Sequence, residues 1–132
     1  MGRMRNWVVS ATVLALGGGA AFAHEGHHEE TAENASQEQV LTGEVVDVVC
    51  YLSHDQQGLG GGHAECAKKC ITSGLPVAIK VGDQLYLASM SDHTAANTLL
   101  ANYAGKQVTV HGLVLEKDGQ HLVTISRIEK SQ

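Results

Sequence analysis

The three cysteines of the chain lie close together in the sequence, and two histidines, His54 and His63, lie among them. Cys50 ends an apolar run, and His63, Cys66 and Cys70 follow a glycine-rich stretch. If the part after the glycines is helical, these last three residues take positions i, i+3 and i+7 and share one face. Thiolate and imidazole groups bind Cu(I), Zn(II) and related ions. The pattern therefore predicts a metal site with three cysteine ligands and one histidine ligand.

Disulfide or redox chemistry would use the same thiols. Cys66 and Cys70 are four residues apart, which in a helix separates their Cβ atoms by about 5–6 Å. A disulfide needs about 3.5–4.5 Å, so a bond within the helix would strain it. A bond from Cys50 to either helix cysteine is geometrically freer. The alternatives to a metal site are therefore a structural disulfide and a redox-active thiol pair.

Cys66 is predicted to be the most readily ionised thiol. It falls in the first turn of the predicted helix, where the helix dipole favours an anion. Lys68 and Lys69 add positive charge nearby, and such surroundings lower the pKa of a thiol.

Histidines outside this core offer further ligands. His54, in the loop near Cys50, is a candidate substitute ligand. Cleavage after Ala23 would make His24 the new N-terminus, whose amine and imidazole can chelate Cu(II), with His27 and His28 close behind. The alternative interpretation of these three is a solvated tail. His111 alternates with valines and is expected to have a structural role on a strand.

Several enzyme and cofactor signatures are missing from the sequence. It contains no haem-attachment motif, no thioredoxin-type cysteine pair, no phosphate-binding loop and no dinucleotide fingerprint. A closed site with four protein ligands has no open position for a substrate, which argues against catalysis. We therefore expect a binding protein and not an enzyme. The glycine run, residues 58–62, is expected to be a hinge or a place of tight packing.

The first 23 residues resemble a signal peptide. A basic start is followed by a short apolar run and by Ala21-Phe22-Ala23, which fits a cleavage site. The run is broken by glycines and is too short for a membrane helix. We expect a periplasmic or secreted protein without a membrane span after cleavage. In such an oxidising compartment disulfides persist, and free thiols need a reason.

Charge and length limit the class of protein. Removing 23 of the 132 residues leaves 109, enough for one compact domain. The formal net charge of −5 becomes −7 when Arg3 and Arg5 are removed. An acidic chain with few aromatic residues is a poor candidate for nucleic-acid binding.

The pattern of elements predicts the fold. Residues 24–39 are acidic, polar and rich in histidine, which is typical of a disordered tail. Residues 40–130 then give five short strands with a helix between the third and fourth, which suits a small OB-like barrel. We expect a mainly β domain with short helices and a loop–helix insertion after the first strand. The predicted elements are strands at 40–49, 76–81, 84–89, 106–116 and 120–128, and helices at 63–72 and from Asp92 to Tyr103.

Residues 40–130 resemble a group of small exported bacterial proteins of uncharacterised function. The resemblance lies in Gly43 to Leu52, in the pattern His63-x-x-Cys66-Ala67-x-x-Cys70, in Gly74 to Val77, and in Tyr103 to Gly112. It implies an OB-like fold and export. The spacing of Cys66 and Cys70 is also similar to that in periplasmic copper chaperones of the Sco type. The proline and the thioredoxin-like surround of those chaperones are missing here, so no fold or mechanism is implied.

The sequence as a whole predicts an exported protein that binds a soft metal, copper before zinc, for storage, delivery or homeostasis. Its partners would be the metal ion and another periplasmic protein. The ligands would be Cys50, His63, Cys66 and Cys70, with His24, His27, His28 and His54 as secondary ligands. The alternatives are a disulfide-stabilised OB-like domain that binds a ligand or a protein, and a thiol redox protein.

Overall fold

The chain folds into a five-stranded barrel with short helices in its connections. The computed structural model describes residues 37–54 and 58–130, so the predicted signal peptide and nearly all of the histidine-rich tail lie outside the described residues. The strands are β1 (Glu38–Asp47), β2 (Val77–Val81), β3 (Gln84–Met90), β4 (Gln107–Lys117) and β5 (Gln120–Lys130). The helices are α1 (Val48–Ser53), α2 (Ala64–Thr72) and α3 (Asn97–Leu100), the last continued by a 3-10 turn (Ala101–Tyr103).

The strands close into one barrel in the order β1-β2-β3-β5-β4. β1 pairs with β4 along its first part and with β2 along its last part, and β3 and β5 form the one parallel pair among the described strands. α1, the glycine loop and α2 lie between β1 and β2, and α3 lies between β3 and β4. The predicted small OB-like barrel, with a loop–helix insertion after the first strand, is confirmed.

The core fills the barrel and extends under α2. Its buried side chains come from β1, β2, β4, β5 and the helical connections, and they include Val45, Ile79, Val108 and Ile125. β3 adds partly buried side chains that pack against them. α2 contributes Ala67 and Ile71, which are four residues apart and therefore lie on one face. The same core thus fixes the barrel and the helix that carries two of the cysteines.

The predicted first strand is too long at its C-terminal end. β1 stops at Asp47, and Val48–Ser53 forms α1 in place of the end of a strand. The apolar, β-branched residues there favour a strand by propensity. The Asp47 side chain overrides that preference because it accepts hydrogen bonds from the backbone N–H groups of Val49 and Cys50 and so caps the helix.

The predicted second helix begins too early. Asp92 does not cap it, because its side chain accepts hydrogen bonds from the backbone and the hydroxyl of Thr94 in a local turn. His93 lies between them in the left-handed region, at φ 65°. The helix begins only at Asn97, and its 3-10 continuation ends at Tyr103. Gly105, the predicted stop, follows two residues later with a φ of 70°. Among the described helices none is long and apolar enough to cross a membrane.

Candidate metal centre

Cys50 is placed by the tight turn from β1 into α1. The Asp47 carboxylate is fully buried and accepts the backbone N–H of Cys50 at 3.1 Å and that of Val49 at 3.2 Å. These bonds satisfy two of the N–H groups that the start of a helix leaves unpaired. Cys50 therefore lies in the first turn of a short helix whose start is fixed by a carboxylate.

Cys66 and Cys70 are placed by α2. The predicted helix at 63–72 is confirmed, with His63 at its N-cap and Ala64–Thr72 as its body. Ala67 and Ile71, the residues next to the two cysteines, are buried in the core. The side-chain amide of Asn97 donates to the backbone carbonyl of Ile71 at 2.8 Å and so ties the end of α2 to α3. The helix therefore has little freedom to move its cysteines.

The glycine run, residues 58–62, contacts α1 and the barrel at its first three residues. A Cβ atom on Gly58 would lie 2.8 Å from the Cα of Tyr51 in α1, so only glycine fits there. The backbone N–H of Gly60 donates to the Glu44 carboxylate on β1. A Cβ atom on Gly105 would lie 2.7 Å from the carbonyl oxygen of Gly60. The close approach at Gly58 agrees with tight packing, one of the two roles predicted for the glycine run, and the contacts tie this loop to α1 and β1.

The three cysteines meet where α1 and α2 come together. The sulfur atoms of Cys50, Cys66 and Cys70 all lie within 4.8 Å of one another. No disulfide joins them. Cys66 is exposed, whereas Cys50 and Cys70 are half-buried. The arrangement is a group of three thiols with one member open to solvent.

The surroundings raise the pKa of two of these thiols further above neutral pH. The pKa of Cys50 is raised from 9.0 to about 12, chiefly by its hydrogen bond to the Asp47 carboxylate, then by burial and by the negative charge of Asp47. The pKa of Cys70 is also raised, first by burial and then by the charge of Asp47. A metal ion that binds these sulfurs has to displace their protons. The prediction that Cys66 ionises most readily stays a prediction.

His63 belongs to a second group of donors. A ring nitrogen of His63, the sulfur of Cys50 and a carboxylate oxygen of Asp47 all lie within 4.8 Å of one another. The Nε2 atom of His63 is buried and has no hydrogen-bond partner. The structure therefore brings three of the four predicted ligands into one group and the fourth into another, with Cys50 common to both.

Asp47 was not among the residues predicted from the sequence. A charged residue at the end of an apolar strand is usually solvated, and burial depends on tertiary packing that local sequence does not encode. One signal was present, because Asp47 interrupts the run Val45-Val46-Asp47-Val48-Val49. An aspartate in that place is a recognised helix N-cap.

The other candidate histidines lie apart from the cysteines. His54 is exposed at the C-terminal end of α1 and belongs to neither donor group. His24, His27 and His28 fall outside the described residues. His111 contacts Glu129 through Nε2 and Arg127 through Nδ1, each at 2.9 Å. This confirms the structural role predicted for His111.

Comparisons with protein-family models, with curated proteins and with solved structures find no match for this chain.

Proposed function

We propose that this chain is an exported protein that binds a soft metal ion, copper(I) before zinc(II), through Cys50, Cys66 and Cys70. The observation that carries the proposal is the group of three unbonded sulfurs within 4.8 Å, contributed by two different helices. Thiolate groups are the ligands that select soft ions such as Cu(I). Export is proposed from residues 1–23, whose pattern is that of a signal peptide.

The number of sulfurs favours copper over a structural zinc ion. A structural zinc site is almost always tetrahedral and needs four ligands. The described group supplies three sulfurs, and His63 lies in the neighbouring group with Asp47. Cu(I) accepts a set of sulfur ligands alone, so it needs no fourth residue.

The exposure of the three cysteines favours storage or delivery over a permanent structural role. Cys66 is exposed, while Cys50 and Cys70 are half-buried. An incoming ion can meet the exposed sulfur first, and a partner's ligand can reach the ion by the same route. Release is helped because the raised pKa values of Cys50 and Cys70 let protons compete with the ion.

A thiol–disulfide function is the second candidate, because the same short distances would let an oxidant join two of the sulfurs. Cys50 comes from α1 and can approach either cysteine of α2. A bond of that kind would link the two helices and leave one free thiol. The first experiment has to separate this outcome from metal binding.

The test is a titration of the reduced, metal-free chain with Cu(I) under anaerobic conditions, in competition with a Cu(I) chelator of known affinity. We expect about one copper per chain, because the structure offers one three-sulfur group. The variant Cys66→Ala/Cys70→Ala should lose at least tenfold in affinity. His54→Gln is the matched control, since His54 belongs to neither group, and it should bind as the wild type does.

Two results would contradict the proposal. One is equal Cu(I) affinity in the wild type and the double variant, which would place copper elsewhere. The other concerns protein purified without reductant from the exported fraction. A metal-free chain about two mass units light, with one free thiol, would show that the cysteines serve as a disulfide.

A further inference from the structure

Asp47 is a buried anion whose negative charge is not matched by a cationic side chain. Its side chain is fully buried, and no ion pair in the described ranges includes it. Two backbone N–H groups donate to its oxygens. The Cys50 thiol is hydrogen-bonded to the same carboxylate. A carboxylate offers about four acceptor positions, so acceptor capacity remains. A buried charge of this kind is costly unless it is paired or coordinates a metal.

His63 has an imidazole nitrogen that the fold leaves without a partner. Its Nε2 atom is buried and makes no hydrogen bond. The residue occupies the N-cap of α2, but its side chain makes no capping bond. The imidazole therefore does not cap the helix. His63 instead lies in one donor group with the buried carboxylate of Asp47 and the thiol of Cys50.

These three side chains offer one oxygen, one sulfur and one nitrogen donor. Zn(II) is bound in proteins by carboxylate, thiolate and imidazole ligands, and sites with three protein ligands keep one open position. A bound divalent ion would balance the charge of Asp47 and give the imidazole a partner. We propose that Asp47, Cys50 and His63 form a second metal site, specific for a borderline divalent ion of the zinc class.

The second site goes beyond the proposed copper function and shares only Cys50 with it. Both donor groups include the Cys50 sulfur, so the two ions compete for one thiolate. Prior loading with Cu(I) should therefore weaken zinc binding. The soft ion would take the three sulfurs, and the borderline ion would take the mixed group, because thiolates suit Cu(I) and a mixed set suits zinc.

The experiment isolates the mixed group in the variant Cys66→Ala/Cys70→Ala. This variant keeps Asp47, Cys50 and His63 and lacks the other two thiols. It is titrated anaerobically with Co(II), which replaces zinc and gives a charge-transfer absorption when a thiolate is bound. We expect one cobalt ion per chain with that absorption, displaced by Zn(II). Adding His63→Gln should lower the affinity at least tenfold, whereas adding His54→Gln should leave it unchanged.

The outcomes are separable from those of the copper titration. The second site is overturned if the double variant shows no thiolate–cobalt absorption, or if His63→Gln binds as tightly as its parent. Wild-type Cu(I) binding would then still support the copper proposal. Conversely, cobalt binding by the double variant without Cu(I) binding by the wild type would leave only the second site. Circular dichroism of each variant checks that the barrel is intact.

Discussion

Replacing Asp47 with asparagine tests whether the buried carboxylate holds the proton on the Cys50 thiol. The hydrogen bond to Asp47 is the largest cause of the rise in the pKa of Cys50 from 9.0 to about 12, and burial is the second. Asparagine has nearly the same shape and is itself a favourable N-cap, so α1 should persist. We expect the pKa of Cys50 to fall towards its ordinary value.

The size of the effect follows from the two pKa values. At pH 8, a fall in the pKa of Cys50 from about 12 to 9.0 would raise the fraction of Cys50 present as thiolate from about one in ten thousand to about one in ten. A thiolate of lower pKa is also less nucleophilic, by about 20-fold for a fall from about 12 to 9.0. The net increase in the alkylation rate would therefore be about 50-fold. Burial persists in the variant and keeps part of the shift. The expected increase in alkylation rate is therefore about tenfold to 50-fold.

The assay measures alkylation of Cys50 by iodoacetamide as a function of pH in a Cys66→Ala/Cys70→Ala background, where Cys50 is the one thiol left. Asp83→Asn is the matched control, because Asp83 is an exposed residue between β2 and β3. It should leave the profile of Cys50 unchanged. An Asp47→Asn profile with the same midpoint and rate as its parent would refute the assignment of the proton to the carboxylate.

Three further predictions concern stability. Gly43→Ala should cost about 1–3 kcal/mol in urea unfolding, because its Cβ would overlap the backbone of β2, whereas Gly61→Ala, with open space around it, should cost less than about 1 kcal/mol. Asn97→Ala should lower the free energy of unfolding by about 1–3 kcal/mol, because the Asn97 amide donates to two backbone carbonyls at 2.8 Å. The control Asn102→Ala, at an exposed position, should change it little. Equal losses in the two variants would contradict this prediction. Titration of Cys50 should not affect the free energy of unfolding below pH 9. It should lower that free energy between pH 9 and about 12, because the unfolded chain loses the thiol proton there and the folded chain keeps it. The urea midpoint of Cys50→Ala should therefore fall less over this pH range than that of the wild type.

The barrel could be predicted from the sequence because its signals are local. Alternating β-branched residues, and the Gly82-Asp83 and Asp118-Gly119 turns, mark the two hairpins. Those hairpins are β2–β3 and β4–β5 in the structure. α1 could not be predicted in this way, because strand propensity and a capping side chain conflict there. The outcome depends on whether Asp47 turns towards the backbone that follows it.

The candidate site could be predicted only in part. Sequence spacing places His63, Cys66 and Cys70 on one helix, and the structure confirms that helix. Sequence spacing does not determine how α1 packs on α2. Because of this packing, His63 lies in one donor group with Asp47 and Cys50, and the three cysteine sulfurs form a second donor group. Asp47 could not be recognised as a donor, since its burial arises from residues distant in the chain.

α2 is attached to the barrel by residues other than the candidate metal ligands. Ala67 and Ile71 belong to the hydrophobic core, and none of the three cysteines does. In a zinc finger the free energy of metal binding drives folding, and the chain unfolds when the metal is removed. Here the helix is held by apolar contacts that do not involve the donor atoms. We therefore expect the barrel to stay folded whether or not the proposed metal ion is bound, so that binding and release would not require the chain to unfold.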